Sequence, residues 1–158
     1  MKVYLSFLFV FFFTIIHLFA QKADNRVAEN LKNLSFKYEL QPEDATFKFT
    51  VPIGKRTQTI FIESSTSTYD KLEMREVYSI VHQSRNIPDQ SRLVKLLMDN
   101  AQKKIGAWEI VYEGSEYFII FTAKIPANAD ASDMKSAIDI VSASSDGMEQ
   151  QLFATDEW

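Results

Sequence analysis

Apolar residues recur along this chain with two different periods, and the changes of period predict its elements. Val27, Ala28, Leu31 and Leu34 stand three and four apart, as in an amphipathic helix, with Asp24 or Asn25 available as its cap. Phe36, Tyr38 and Leu40 then alternate briefly as a short extended piece before Pro42. Phe47, Phe49 and Val51 alternate with Thr46, Lys48 and Thr50, which predicts a half-buried strand. A turn at Pro52-Ile53-Gly54-Lys55 leads to a second strand, Thr57 to Ser65. A polar Ser/Thr stretch through Asp70 leads to a third, Leu72 to His82. Beyond Pro88 and a capping Asp89, the positions Leu93, Leu96, Leu97, Asn100 and Ala101 trace one face of a helix that Gly106 ends. Two further strands, Ala107 to Tyr112 and Glu116 to Ile125, flank a tight turn at Glu113-Gly114-Ser115. Within the latter, Tyr117-Phe118-Ile119-Ile120-Phe121 is apolar at both parities, as in a strand buried on both faces or lying under a partner. Asp130 and Asp133 give an acidic first turn to a last helix with the stripe Met134, Ala137, Ile138, Val141, Ser145, Met148 and Leu152, in which Gly147 is a weak point. The pattern predicts an α+β fold: a single domain, an antiparallel sheet of about five strands, and the order α-β-β-β-α-β-β-α.

The segment ahead of these elements has a different character. Met1-Lys2 is positive, Leu5 to Phe19 is apolar except at Ser6, Thr14 and His17, and Ala20 precedes the polar Gln21-Lys22-Ala23-Asp24. This tripartite pattern predicts a signal peptide over residues 1–20, cut after Ala20, and hence an exported chain, periplasmic or secreted, with no membrane contact after cleavage. The alternative is a retained anchor, since the run approaches a spanning length. Residues 21–154 form the expected domain, and 155–158 a loose tail.

Composition narrows the chemistry. With 17 basic against 21 acidic residues the net charge is −4, which excludes a general nucleic-acid binder. The chain has no cysteine, so disulfides, thiolate metal sites, a Cys nucleophile and a lipid-modified N-terminus are excluded. His82 is the one histidine beyond the leader, so zinc ligation lacks ligands. No G-x-S-x-G sequence accompanies it. Glu73 and Glu76 fall on opposite faces of a regular strand, while Glu109 and Glu113 share one. Gly54-Lys55-Arg56-Thr57 lacks the frame of a phosphate loop and reads as a hairpin turn with a basic tip able to touch an acidic partner. Arg56-Thr57-Gln58-Thr59 and Glu63 to Thr68 give the first hairpin a polar face, either solvated or used for partner binding. Trp108, Ile110 and Tyr112 share a strand face and belong either to the core or to an aromatic hot spot. No cofactor, metal or catalytic residue is expected from these patterns.

The order of elements resembles the YbjN family, whose fold is similar to that of the type III secretion chaperones. The resemblance rests on Leu93-Val94-Lys95-Leu96-Leu97-Met98-Asp99-Asn100, Gly106-Ala107-Trp108-Glu109-Ile110, the Glu113-Gly114-Ser115 turn, Ala123-Lys124-Ile125-Pro126, and the closing helix with Asp133, Met134, Ala137, Ile138 and Val141. It implies a chaperone-like, often dimeric binding module without an enzymatic site, covering Asp24 to Phe153. The chain departs from the secretion chaperones, which work in the cytosol, in carrying an export signal. The expectation is therefore an exported, non-enzymatic module that associates through its sheet with a protein partner, or with itself as a homodimer, with Arg56, Trp108, Tyr112 and Tyr117 as candidate contact residues. Two alternatives stand beside it: a small-ligand carrier with a cavity lined by Phe49, Ile62 and Phe121, and an envelope hydrolase using His82 or Glu73 and Glu76.

Overall fold

The computed structural model describes residues 22–153, so the expected signal peptide and the tail at 155–158 lie outside the described residues. The elements are α1 (Asn25–Asn33), β1 (Glu39–Leu40), β2 (Phe47–Ile53), β3 (Arg56–Ile62), β4 (Ser67–Tyr69), β5 (Leu72–Ser84), α2 (Gln90–Asn100), β6 (Ala107–Glu113), β7 (Glu116–Pro126) and α3 (Ala131–Leu152). Each helix starts where a carboxylate accepts from an otherwise free backbone N–H: Asp24 from Arg26, Asp89 from Arg92 and Asp130 from Asp133.

The class is α+β, with one antiparallel sheet and three helices. Seven strands, rather than about five, form a sheet of order β1-β2-β3-β5-β7-β6, with β4 folded onto the start of β5. Of the two additional strands, β1 falls within the short extended piece expected before Pro42, and β4, three residues long, is too short to leave a period in the sequence. Two helix boundaries also differ from expectation. α2 ends at Asn100, ahead of Gly106, because the Asn100 side chain turns to hold the Trp108 backbone: Oδ1 accepts from its N–H at 2.6 Å and Nδ2 donates to its carbonyl at 3.3 Å. α3 runs through Gly147, beside which there is open space.

Gly106 has a different task. Its φ is +82°, and a Cβ there would lie 2.8 Å from the Thr122 carbonyl oxygen and 2.7 Å from the Phe121 ring. The carbonyl belongs to the sheet and has no room to withdraw. Gly106→Ala is therefore expected to destabilise the fold by about 2 kcal/mol through combined strain and overlap, read from the urea midpoint; an unchanged midpoint would contradict this packing.

Strand alternation divides the sheet into two sides. Phe47, Phe49, Ile60, Ile62, Val77, Phe121 and Ala123 point to one side, where they are buried with Ile138 and Val141 of α3 and Val27 and Leu31 of α1. α3 crosses β2, β3, β5 and β7 on that side, and α2 lies against β6 at the edge. A register shift in β5 between Ile80 and His82 adds one residue, placing His82 opposite Ile119 on the helix side.

Polar groups also pack under the helices. Arg75 of β5 is 1% exposed, donating to the Asp24 carboxylate and to the Glu63 carbonyl. Asp24 thus ties the start of α1 to the middle of the sheet. Gln58, expected on a polar surface, shares parity with Ile60 and Ile62 and is fully buried; its Nε2 donates to Ser79 Oγ at 2.8 Å, and Ser79 Oγ donates to the Thr59 carbonyl at 2.7 Å.

Candidate functional site

The opposite side of the sheet is the distinctive surface. Among the described residues no helix packs on it, since α1 and α3 occupy the other side. Its centre is apolar: Phe61 stacks on Tyr78 at 5.1 Å and 12°, and Ile80, Ile120, Phe118 and Val111 continue across β5, β7 and β6. Neighbouring strands lie about 4.8 Å apart, so a strip spanning β3, β5, β7 and β6 is roughly 14 Å wide. Tyr78, Ile80, Val111, Phe118 and Ile120 floor a concavity of about 220 Å³, and Glu63, Glu76, Glu109 and Glu113 surround it.

The charges at this rim are uneven. Lys124 bridges Glu76 and Glu109, at 3.3 Å to each, and Lys48 lies 5.9 Å from the Phe61 ring centre. Burial pushes the Glu63 carboxyl above its ordinary value; repulsion from Glu76 and Asp44 adds to this, while the Ser65 hydroxyl opposes it. Burial also raises Tyr78, reinforced by the negative charges of Glu63, Asp44, Glu113 and Glu76. Thr122 Oγ1, on the same side by alternation, is buried without a hydrogen-bond partner.

A carboxyl raised in the folded state destabilises that state while ionised, and the penalty is relieved as pH falls through its folded pKa. Glu63→Gln is therefore expected to increase stability at pH 7, with the gain vanishing below the ordinary glutamate range near about pH 4. Urea unfolding at the two pH values checks this, and an equal gain at both would contradict it.

The candidate contact residues fall elsewhere. Arg56 is not the hairpin tip, since the turn is Gly54-Lys55 and Arg56 begins β3 opposite Ile53. Its side chain lies on the helix side, 2.6 Å from Asp146 and 3.3 Å from Glu149 of α3, so it meets acidic partners within its own chain. Trp108 is 7% exposed and packs edge-on against Phe121, with Nε1 donating to Asp99 at 2.6 Å. Tyr112 and Tyr117 face each other at 4.7 Å near the β6–β7 turn, and Tyr112 is 62% exposed. The structure thus brings these two together, and separates them from Arg56.

The residues of the alternative readings do not converge. His82 stacks on Phe153 at 4.1 Å on the helix side. Glu73 lies nine residues away along β5, which is roughly 30 Å of extended chain. Glu73 is held at about 2 by Arg26, helped by Thr66, and so stays ionised near neutrality; Glu76 lines the open side. Phe49, Ile62 and Phe121 pack within the core, Phe49 against Phe36 and Phe121 against Trp108, both at 4.9 Å.

The open-side residues Phe61, Tyr78, Ile80, Val111 and Phe118 were missed as a group. The available signal was the apolar content at both parities of β7, repeated in Val77 to Val81 of β5. One other apolar feature lies at the β6 edge, where Leu97 and Met98 of α2 are each 68% exposed. Leu93, Leu96, Leu97, Trp108 and Ile110 line a groove of about 160 Å³ there. No protein-family model, curated protein or solved structure matches this chain.

Proposed function

We propose that this chain is an exported, non-enzymatic binding module, chaperone-like in the manner of the YbjN family it resembles, and that it receives another polypeptide on the helix-free side of its sheet. The observation that carries the reading is the apolar strip from Phe61 to Val111, which four strands present without a covering helix. Phe61 and Ile120 are already buried, so covering the part-exposed Tyr78, Ile80, Phe118 and Val111 supplies the association energy, and the charged rim sets register. The leader at residues 1–20 supports export. Tyr112 and Tyr117 pair with each other at the parity of Trp108, on the helix side of the β6–β7 hairpin end, and so lie outside this strip; Arg56 and Trp108 support the fold behind it.

The test is crosslinking of the chain in intact cells, with co-purifying polypeptides identified by mass spectrometry. A polypeptide recovered with the unaltered chain should be lost with Phe118→Asp and kept with Leu97→Asp, both variants first shown to unfold at the usual urea midpoint. Recovery of the same polypeptides with Phe118→Asp would remove this surface from the account.

A second reading, self-association, is favoured by the exposed Leu97, Met98, Ile110 and Tyr112 along the α2–β6 edge. It predicts a dimer by sedimentation that Leu97→Asp dissociates.

A further inference from the structure

We infer that the occupant of the open side is an extended cationic polypeptide segment, in which apolar residues are flanked by lysine or arginine. The inference rests on the binding role proposed above and adds the sign of charge and the residue pattern of the partner.

Three observations lead to it. The apolar strip, roughly 14 Å wide, matches four to five residues of extended chain at about 3.3 Å each. Glu63 and Glu76 close one end of the strip, and Glu109 and Glu113 line its β6 side, so carboxylates lie on two sides of an apolar floor. Lys124 engages two of these four and Lys48 stands beside Phe61, so four carboxylates face two cations and the ring stays negative in sum. Long cationic side chains can bury their stems on such a floor while their heads reach the rim. Among the described residues no three carboxylates gather closely enough to hold a metal ion, so the ring is too dispersed for a bare cation. The same four carboxylates repel nucleic-acid phosphates and anionic lipid headgroups. A polypeptide carrying both apolar and positive groups satisfies floor and rim together.

The probe is a labelled twelve-residue peptide with a central run of leucines flanked on each side by lysines, so that lysine stems as well as leucines reach the floor, compared by fluorescence anisotropy with its glutamate–leucine and lysine–serine counterparts, using the full chain. The lysine–leucine peptide is expected to bind at least about tenfold more tightly than either, with the advantage over the glutamate–leucine peptide falling steeply at high salt. Glu109→Gln with Glu113→Gln should weaken it about fivefold and leave the glutamate–leucine peptide no weaker. The charge-swapped peptides test the inference without any variant, so a folding defect cannot obscure the result. Equal binding of lysine–leucine and glutamate–leucine peptides, both abolished by Phe118→Asp, would overturn the cationic preference and leave the surface assignment standing. Equal binding of the lysine–serine peptide would overturn the use of the apolar floor. No binding by any peptide would remove both the inference and the reading beneath it. Retention on anionic vesicles with no peptide binding would assign the face to a membrane instead.

Discussion

Asp24→Ala is expected to destabilise the fold by about 4 kcal/mol, the cost of leaving a buried ion without its partner, with loss of a helix cap included. Arg75 is almost completely buried, and Asp24 is the carboxylate that compensates it. Arg75 Nε has no hydrogen-bond partner even in the intact protein, and the guanidinium's other acceptor is the neutral Glu63 carbonyl. Asp24 also caps α1 and chelates Arg26. Urea unfolding measures the loss; one below about 1 kcal/mol would show that the pair contributes little. Removing both ions in Asp24→Ala with Arg75→Met should recover much of it, because the desolvation cost of Arg75 disappears with its charge.

The acid response follows from the same pair. The hydrogen bonds of Arg26, joined by the hydrogen bond and charge of Arg75, outweigh burial and hold the Asp24 carboxyl well below the usual carboxylate range. A depressed folded pKa contributes stability that is present above the unfolded value, near about 3.9, and lost as pH falls through the folded one. Acid should therefore weaken the intact chain progressively below about pH 4, while Asp24→Ala lacks this component of the slope. Glu73, held at about 2 by Arg26, adds to the loss in the same direction.

Arg56→Ala has the second largest expected effect, about 3 kcal/mol, since it leaves the Asp146 and Glu149 carboxylates under α3 without this cation. Arg56→Lys should recover only part of the loss, because an ammonium cannot reproduce the planar fork of the guanidinium. A stability unchanged by Arg56→Ala, with altered binding instead, would return Arg56 to the exposed role expected from its position beside the hairpin turn.

Legibility from sequence differed by level. Local signals were strong wherever one residue type solves one backbone problem. Asp24, Asp89 and Asp130 all cap the helices that follow, and Gly114-Ser115, both at positive φ, form the turn expected between β6 and β7. The sides of the sheet were less legible, because they depend on pairing between strands distant in sequence. Gln58 reads as surface, yet its pairing opposite Val51 commits it to the helix side. Trp108 and Tyr112 share a parity, but only the former lies deep enough under α2 to be buried. The doubly apolar run in β7 held information about the candidate site, but assembling it required Phe61, Tyr78 and Val111 from three other strands.

A photoreactive residue at position 118 on the open side, compared with one at position 97 on α2, distinguishes the two faces. Each substituted chain is irradiated with the lysine–leucine peptide, and the adduct is mapped by mass spectrometry. Peptide adducts are expected at 118 and none at 97. Adducts at 97 with none at 118 would contradict the open-side assignment and place association at the α2–β6 edge.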